Sequence, residues 1–360
     1  MTKALKDPLI SRTEVFSPSE FVERSSSSLK LTPSTRARND RINQTALTVS
    51  VVLNIIIVAV KLVATIVSGS LAVTATLVDS VLDVLSQFIL FYTDSASKHH
   101  DSVSFPAGKT RLAPLGIFIC AVLMGMASVE VIHESVVKLT LLYWGMDEGS
   151  LSLSSVVLGA MVFSFLSKAA LYWYCVKVGD STGSDSVKAV ALDHLNDLLS
   201  IVSATAAAVA SFYSDSLLWV DPVSAIAISV YIMKEWWSTA QEQANMLVGK
   251  AANEDFLKEV RRVGNEHHPQ LSVDIIRAYH FGPKYLVELE VVLPPTMTLE
   301  MTHDIGMQLQ HKIEAFEQVE RAFVHIDYQA RDYDEHNERS WPLAYAERVR
   351  ENIGPNHLNV

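Results

Sequence analysis

The chain has 360 residues, enough for two domains, and a formal net charge of −11. Residues 241–360 alone carry a net charge of −8, with twelve Lys or Arg and twenty Asp or Glu. Because nucleic-acid binding requires clustered basic residues, we expect no nucleic-acid partner. The only cysteines, Cys120 and Cys175, both lie in apolar runs, which argues against a disulfide framework and against a cysteine-rich metal site.

Residues 1–43 are polar and contain four consecutive serines, so we predict a disordered cytoplasmic tail. The mean hydropathy of the whole chain is nevertheless +0.22. Its apolar residues gather in stretches of about 20 or more, the length that a helix needs to cross a bilayer. They predict an α-helical membrane protein with six transmembrane helices in residues 44–240. The stretches cover residues 46–67, 71–92, 112–139, 154–178, 187–213 and 217–237.

Basic residues are distributed unequally between the segments that flank these stretches. The loops at 68–70, 140–153 and 214–216 contain no Lys or Arg. The alternate segments contain Arg36, Arg38, Arg41, Lys98, Lys109, Arg111, Lys177 and Lys188. Because cytoplasmic loops are enriched in Lys and Arg, this pattern predicts that both termini are cytoplasmic.

After residue 240 the apolar runs end and shorter periodic patterns begin. Gly282-Pro283 marks a turn between two strand patterns, and Thr298 is a suitable N-cap for an amphipathic helix. The order α-β-β-α-β predicts a small cytoplasmic α+β domain of the ferredoxin-like type in residues 241–330. Its elements are expected at 256–266, 273–281, 285–293, 299–316 and 322–328. Residues 331–360 are predicted to be a charged, loose tail.

Two predicted membrane helices each carry a pair of aspartates. Asp79 and Asp83 lie in the second helix, and Asp193 and Asp197 lie in the fifth. The i, i+4 spacing places both carboxylates of a pair on one helix face. An acid at the centre of a membrane helix costs about 2.5–3.5 kcal/mol, so four would cost on the order of 10 kcal/mol if uncompensated. A divalent cation, or protons in its absence, would offset this cost. Four converging carboxylates therefore predict a metal site with hard oxygen ligands.

The alternative for the aspartates is helix packing in a water-lined crevice, which explains two matched pairs less well. Asn54 in the first helix is either a neutral metal ligand or an interhelical hydrogen-bond partner. Lys61 and Lys168 are interpreted as snorkelling side chains or as structural ion partners. His194, beside Asp193, is assigned to helix packing. The alternatives are that it supports a metal ligand or relays protons.

Two further groups of polar residues each have two possible roles. Glu130, His133 and Glu134 could form a metal-release vestibule, but interfacial solvation and capping are favoured. In the soluble domain, His325 and Asp327 lie on one face of a strand, and His303 on the preceding helix could reach them. These three residues could form a regulatory metal site, or they could be an ordinary exposed strand and helix face.

Four segments of the chain resemble the cation diffusion facilitator family, over most of residues 44–330. The segments are LVDSVLDVLSQ (77–87), FPAGKTRLAPLG (105–116), ALDHLNDLLS (191–200) and the run from RAYHFGPKYLVELEVVLPPTMTL (277–299) to ERAFVHID (320–327). The resemblance implies six membrane helices, a cytoplasmic αββαβ domain, a homodimer, and export of divalent metal in exchange for protons. It implies an endomembrane, such as Golgi or vacuole, or the plasma membrane as the location.

The donor atoms indicate which metal ion the chain transports. Zinc-type members usually have His where this chain has Asp193, and often a His-rich loop where this chain has residues 179–185, which contain no His. A carboxylate in place of an imidazole favours harder ions such as Mn²⁺. The chain therefore resembles the manganese-type subgroup, although Gln87 stands where a small residue is expected. In the soluble domain, Glu288–Glu290 occupies a position that often supplies a further His, so a full zinc cluster is not expected.

The expected mechanism is alternating access, in which metal and protons compete for the same four carboxylates. No enzymatic activity and no cofactor beyond the transported ion are expected, and no phosphate-binding loop is present to supply energy from a nucleotide. The alternatives are a zinc or broad Zn/Fe/Co antiporter of the same family, a metal-gated channel or sensor, and a membrane hydrolase with an aspartate pair. The restriction of the acids to one turn per helix favours an occluded carrier site.

Overall fold

The structure, a computed structural model, describes residues 33–68, 71–99, 103–145, 155–213, 218–331, 333–334, 342–343 and 345–347. The chain divides into two compact units. The helical unit contains Thr32–Glu254 and Ala278–Leu286, and the sheet unit contains Asp255–Arg277 and Val287–Val360, in each case as far as the described residues extend.

Six long helices in the described residues build the helical unit. They are α1 (Pro33–Ser68), α2 (Leu71–Lys98), α3 (Leu112–Tyr143), α4 (Ser155–Thr182), α5 (Asp185–Tyr213) and α6 (Val220–Val248). Within the described residues, four of them, α1 to α4, are long and apolar enough to cross a membrane by length and composition. The prediction of a helical membrane domain is therefore confirmed, whereas crossings by α5 and α6 stay a prediction.

Two predicted boundaries differ from the structure. Helix α1 begins at Pro33, so residues 33–43, which we assigned to the disordered tail, are helical. Proline is tolerated at the first position of a helix. Adding a polar turn to a helix that is already formed costs little free energy compared with nucleating a new helix. The rest of the predicted tail, residues 1–32, lies outside the described residues. Helix α6 continues past the predicted end at residue 240 and stops at Val248, where Gly249 adopts a left-handed φ of 77°.

The helices pack so that α2 and α5 can approach one another. Helix α1 packs against α2 and α4, α4 packs along α5, and α3 packs along α6. Gly116 allows α3 to approach α2 closely, because a Cβ atom there would overlap the Thr93 side chain. A buried apolar cluster joins α1 to α5 beside the aspartate pairs. Its fully buried members include Leu47, Leu90, Ile117, Cys120, Cys175, Val187 and Val190.

The elements after residue 250 occur in the predicted order. They are α7 (Glu254–Asn265), β1 (Ser272–Phe281), β2 (Lys284–Val292), α8 (Leu299–Glu314) and β3 (Val319–Asp327), and the sheet order is β1-β2-β3. In β2, Val287, Leu289 and Val291 are fully buried. Glu290 is also buried, and its Oε1 lies 3.2 Å from Arg277 Nη1. Thr298 is the predicted N-cap of α8, and its side chain accepts a hydrogen bond from the Met301 amide at 3.3 Å.

The two helices of the sheet unit share one core. Gly264 of α7 lies so close to β1 that a Cβ atom would overlap the Val273 side chain. Phe256 of α7 meets Phe316, just after α8, edge to face with ring centroids 6.5 Å apart.

The start of the predicted C-terminal tail is not loose. Arg331 Nη1 lies 2.6 Å from Asp327 Oδ2, and Asp334 forms an ion pair with Arg277 of β1. These two pairs hold Arg331 and Asp334 against the sheet, because each joins a tail residue to the end or middle of a strand. Residues 332, 335–341, 344 and 348–360 of the tail lie outside the described residues.

Candidate metal site in the helical unit

The four predicted aspartates differ in burial. Asp83 on α2 and Asp193 on α5 are 7% and 3% exposed, and Asp197 on α5 is half-buried. Asp79 is exposed, one turn before Asp83. The i, i+4 spacing predicted one face for each pair, but the structure shows that only one member of the α2 pair reaches the interior.

Lys168 of α4 joins the two aspartate pairs. Its Nζ lies 2.9 Å from Asp83 Oδ2 and forms a shorter ion pair with Asp197 Oδ2. The lysine is only 2% exposed. The interpretation of Lys168 as an ion partner is therefore confirmed. Its contacts also show that carboxylates from α2 and α5 converge on one positive charge.

Three ligand-type residues of α5 lie together at this point. One potential ligand atom from each of Asp193, His194 and Asp197 lies within 4.8 Å of the others, the only such cluster among the described residues. We assigned His194 to helix packing, and its Nε2 does lie 2.8 Å from Ser50 Oγ on α1. The same ring therefore packs against α1 and lies among the candidate ligands.

A hydrogen-bond network fixes Asp193 and indicates the tautomer of His194. Gln87 donates from Nε2 to Asp193 Oδ2 at 3.1 Å, and its Oε1 accepts from Ser50 Oγ at 2.8 Å. Because Ser50 gives its single proton to Gln87, it accepts from a protonated His194 Nε2. The other ring nitrogen, Nδ1, then carries a lone pair, and it has no hydrogen-bond partner among the described residues.

Asn54 belongs to the same network. Its Nδ2 donates to Gln87 Oε1 at 2.7 Å and to the Ser50 carbonyl at 3.0 Å. The interhelical hydrogen bond, one of the two readings from the sequence, is thus present. Asn54 Oδ1 is buried and has no hydrogen-bond partner among the described residues, so its role as a neutral ligand stays a prediction.

Replacing Gln87 tests this network. We expect Gln87→Leu to weaken metal binding and to lower the melting temperature of the purified protein. The change removes the hydrogen bonds that Gln87 makes with Asp193, Asn54 and Ser50, and each buried group left unsatisfied costs about 1–3 kcal/mol. Binding titration and thermal unfolding of the protein in detergent measure both effects.

The matched control is Gln243→Leu on α6, a buried glutamine whose Oε1 lacks a hydrogen-bond partner in the described part of the chain. We expect little change in metal affinity from it. Equal effects of the two substitutions on metal affinity would contradict the role assigned to Gln87.

Four further polar residues of the helical unit were singled out in the sequence: Lys61, Glu130, His133 and Glu134. Lys61 donates from Nζ to the Thr76 carbonyl at 3.0 Å and to Ser80 Oγ at 2.6 Å, which ties α1 to α2. Glu130, His133 and Glu134 are exposed on α3. Their exposure agrees with the favoured interpretation of interfacial solvation.

The three residues of the second predicted site, in the sheet unit, do not form a cluster in the structure. His303 and His325 are exposed, and Asp327 Oδ2 is bound by Arg331. Among the described residues, these three do not come within the 4.8 Å that defines the α5 cluster. Arg331 occupies an oxygen of Asp327 and neutralises its charge, so this carboxylate is not available as a metal ligand in this arrangement.

Comparison with known proteins decides the family. Residues 47–248 match the cation efflux transmembrane domain, and residues 252–329 match the cytoplasmic domain of cation efflux proteins. The chain belongs to the cation efflux, or cation diffusion facilitator, family. It is a divalent cation efflux transporter, a membrane protein with a helical transmembrane domain and a small cytoplasmic domain of strands and helices. The resemblance in its sequence motifs is thereby confirmed.

Curated relatives cover most of this cation efflux protein. Metal tolerance protein 11 of Arabidopsis thaliana is 37% identical over 294 residues, which is 81% of this chain and 72% of that protein. Metal tolerance protein 4 of Oryza sativa subsp. japonica is 38% identical over 299 residues, with the same two shares of 81% and 72%. Metal tolerance protein 10 of Arabidopsis thaliana is 36% identical over 307 residues, 83% of this chain and 68% of that one.

Proposed function

We propose that the transporter exchanges Mn²⁺ for protons and moves the metal out of the cytosol, into an organelle or out of the cell. The observation that carries the proposal is the convergence of Asp83 and Asp197 on one buried positive charge, with Asp193 beside them. Side chains that hold an ammonium in a buried position are arranged to stabilise a cation there.

Manganese is supported by the chemistry of the donors. Carboxylate oxygens from Asp83, Asp193 and Asp197, with Asp79 at the exposed end, are hard ligands that suit Mn²⁺. His194 Nδ1 and Asn54 Oδ1 could complete the higher coordination number that a hard divalent ion prefers over the tetrahedral zinc geometry. The alternative within the same family is a zinc transporter, or a transporter of broad Zn/Fe/Co specificity.

Proton exchange is supported by the same arrangement. Metal binding requires ionised carboxylates, so protons that enter from an acidic compartment would compete with metal for them. Six crossings with both termini in the cytosol would place the cytoplasmic domain and the metal source on the same side. Relatives that are 37% and 38% identical are named metal tolerance proteins, a name that fits removal of metal from the cytosol. The family's cytoplasmic domain in residues 252–329 supports assembly as a homodimer.

The test is metal uptake by the full-length protein in proteoliposomes with an imposed pH gradient. We expect Mn²⁺ uptake that is faster than Zn²⁺ uptake and that dissipates the proton gradient, read from an internal pH dye. Liposomes without protein and the Asp83→Ala protein serve as controls. Metal flux without proton movement would contradict the antiporter and favour a channel. A preference for Zn²⁺ would contradict the assignment of manganese but not that of a metal transporter.

A further inference from the structure

Lys168 occupies the position where a metal would bind the two aspartate pairs. It extends from α4, which carries neither pair, and contacts one carboxylate of α2 and one of α5. Both contacts use an Oδ2 atom, and the Nζ–Oδ2 distance to Asp83 is 2.9 Å. A metal bound by these same two oxygens would lie no more than about 5.5 Å from the ammonium position, because carboxylate–metal distances are only about 2.0–2.6 Å. Two cations held by the same oxygens at so short a distance repel one another strongly in a buried site, so metal binding favours withdrawal of the ammonium.

The formal charges of the site attract a divalent cation even while Lys168 is in place. Four aspartates and two lysines, Lys61 and Lys168, leave two negative charges. Lys61 is close enough to Asp79, Asp83 and Asp197 to interact with them electrostatically, but its hydrogen bonds go to Thr76 and Ser80. Lys168 is therefore the lysine whose contacts coincide with the oxygens that bind metal.

We propose that Lys168 is a tethered cation that exchanges with the transported metal at the Asp83 and Asp197 oxygens. The proposal rests on the proposed function and adds a device for releasing metal. When the metal leaves, the ammonium returns to the two carboxylates and stabilises the metal-free carrier for its return. When metal arrives, it must displace the ammonium, which keeps its affinity low enough for release on the other side.

This role predicts opposite changes in binding and in rate when the positive charge is removed. Lys168→Met takes away the competing cation, so the Kd for Mn²⁺ falls by about tenfold or more. The maximal rate of uptake falls in the same protein, because release becomes slow and the metal-free carrier loses its counter-charge. A lysine with a merely structural role would, when removed, weaken binding or leave it unchanged.

Lys168→Arg gives the second signature. It keeps the ion pairs, and a guanidinium can bind two carboxylates at once, so it is harder to displace than an ammonium. We expect the Kd for Mn²⁺ to rise by about threefold to tenfold in this protein. Lys138→Met is the matched control, because Lys138 of α3 lies 2.6 Å from Asp221 of α6 in a lysine–aspartate pair outside the site.

The experiment titrates each full-length protein in detergent with Mn²⁺ and follows free Mn²⁺ by electron paramagnetic resonance. Uptake rates are measured in proteoliposomes that contain equal amounts of protein. Tighter binding with slower uptake in Lys168→Met, weaker binding in Lys168→Arg, and unchanged affinity in Lys138→Met support the proposal. If Lys168→Met does not fold, unchanged or tighter binding by Lys168→Arg overturns it.

The outcomes separate this proposal from the proposed function. If the wild type binds and transports Mn²⁺ but Lys168→Met binds it no more tightly, the tethered-cation role is wrong and the transporter assignment stands. If the wild type binds neither Mn²⁺ nor Zn²⁺, the metal site itself is wrong, and the role of Lys168 is overturned with it.

Discussion

Asp83→Ala and Asp197→Ala are each expected to abolish metal uptake, with a loss of about 100-fold or more. Each substitution removes a candidate ligand and also leaves Lys168 with a single partner in a buried position. A lost ligand takes away one coordinating oxygen and one negative charge from the divalent ion. Because about 1.4 kcal/mol corresponds to a factor of ten, the expected loss of about 100-fold corresponds to about 3 kcal/mol of metal-binding free energy.

Initial rates of Mn²⁺ uptake in proteoliposomes, normalised to folded protein, measure the effect. Asp94→Ala is the matched control on the same helix, since Asp94 is also buried and pairs with Lys98 at 2.6 Å. We expect Asp94→Ala to retain most of the uptake activity. Wild-type rates in Asp83→Ala would refute the assignment of the site, whereas equal losses in all three proteins would indicate a general effect of buried acids on folding.

The candidate site was predicted from local signals. An i, i+4 pair of acids within an apolar helix is unfavourable unless something compensates it, and this holds whichever helices are neighbours. The cytoplasmic elements were predictable for the same reason. The turn at Gly282 and the Thr298 cap are each encoded within a few residues.

The sequence offered Lys168 as an ion partner, but it did not show which aspartates this lysine contacts, because the contacts join different helices. Lys168 lies 29 residues from Asp197 and 85 from Asp83 along the chain, and periodicity does not reveal which helices are adjacent. Gln87 was noted only as an unexpected residue. Its side chain, however, contacts groups on α1 and α5 at once, where a smaller residue would leave Asp193 without this donor.

Local sequence patterns also failed to predict two helix boundaries and the arrangement of the cytoplasmic histidines. Hydropathy reports where a helix is apolar rather than where it ends, so the polar turns at the start of α1 and the end of α6 were missed. The left-handed glycine at position 249 is the signal that could have located the second boundary. His303 and Asp327 looked suited to a metal, but Arg331, just beyond the strand, binds the aspartate instead.

Asp193→His is expected to shift the preference of the transporter from Mn²⁺ toward Zn²⁺. Asp193 is almost fully buried and is oriented by a hydrogen bond from Gln87. One of its carboxylate oxygens lies within 4.8 Å of a potential ligand atom of His194 and of Asp197. The substitution replaces a hard anionic oxygen with a borderline nitrogen and removes one negative charge. Both changes disfavour Mn²⁺ relative to Zn²⁺. We expect the ratio of Zn²⁺ to Mn²⁺ uptake to rise by about tenfold, which corresponds to about 1.4 kcal/mol.

Competition uptake with both metals present measures this ratio directly and does not depend on the amount of active protein. Asp185→His is the matched control, because it makes the same substitution in the first turn of α5, where Asp185 lies 4.0 Å from Lys188 and outside the site. The control ratio should stay at the wild-type value. An unchanged ratio in an active Asp193→His protein would mean that selectivity is set elsewhere. His194 Nδ1 and Asn54 Oδ1 would then be the next donors to exchange, because both are buried and neither has a hydrogen-bond partner in the described residues.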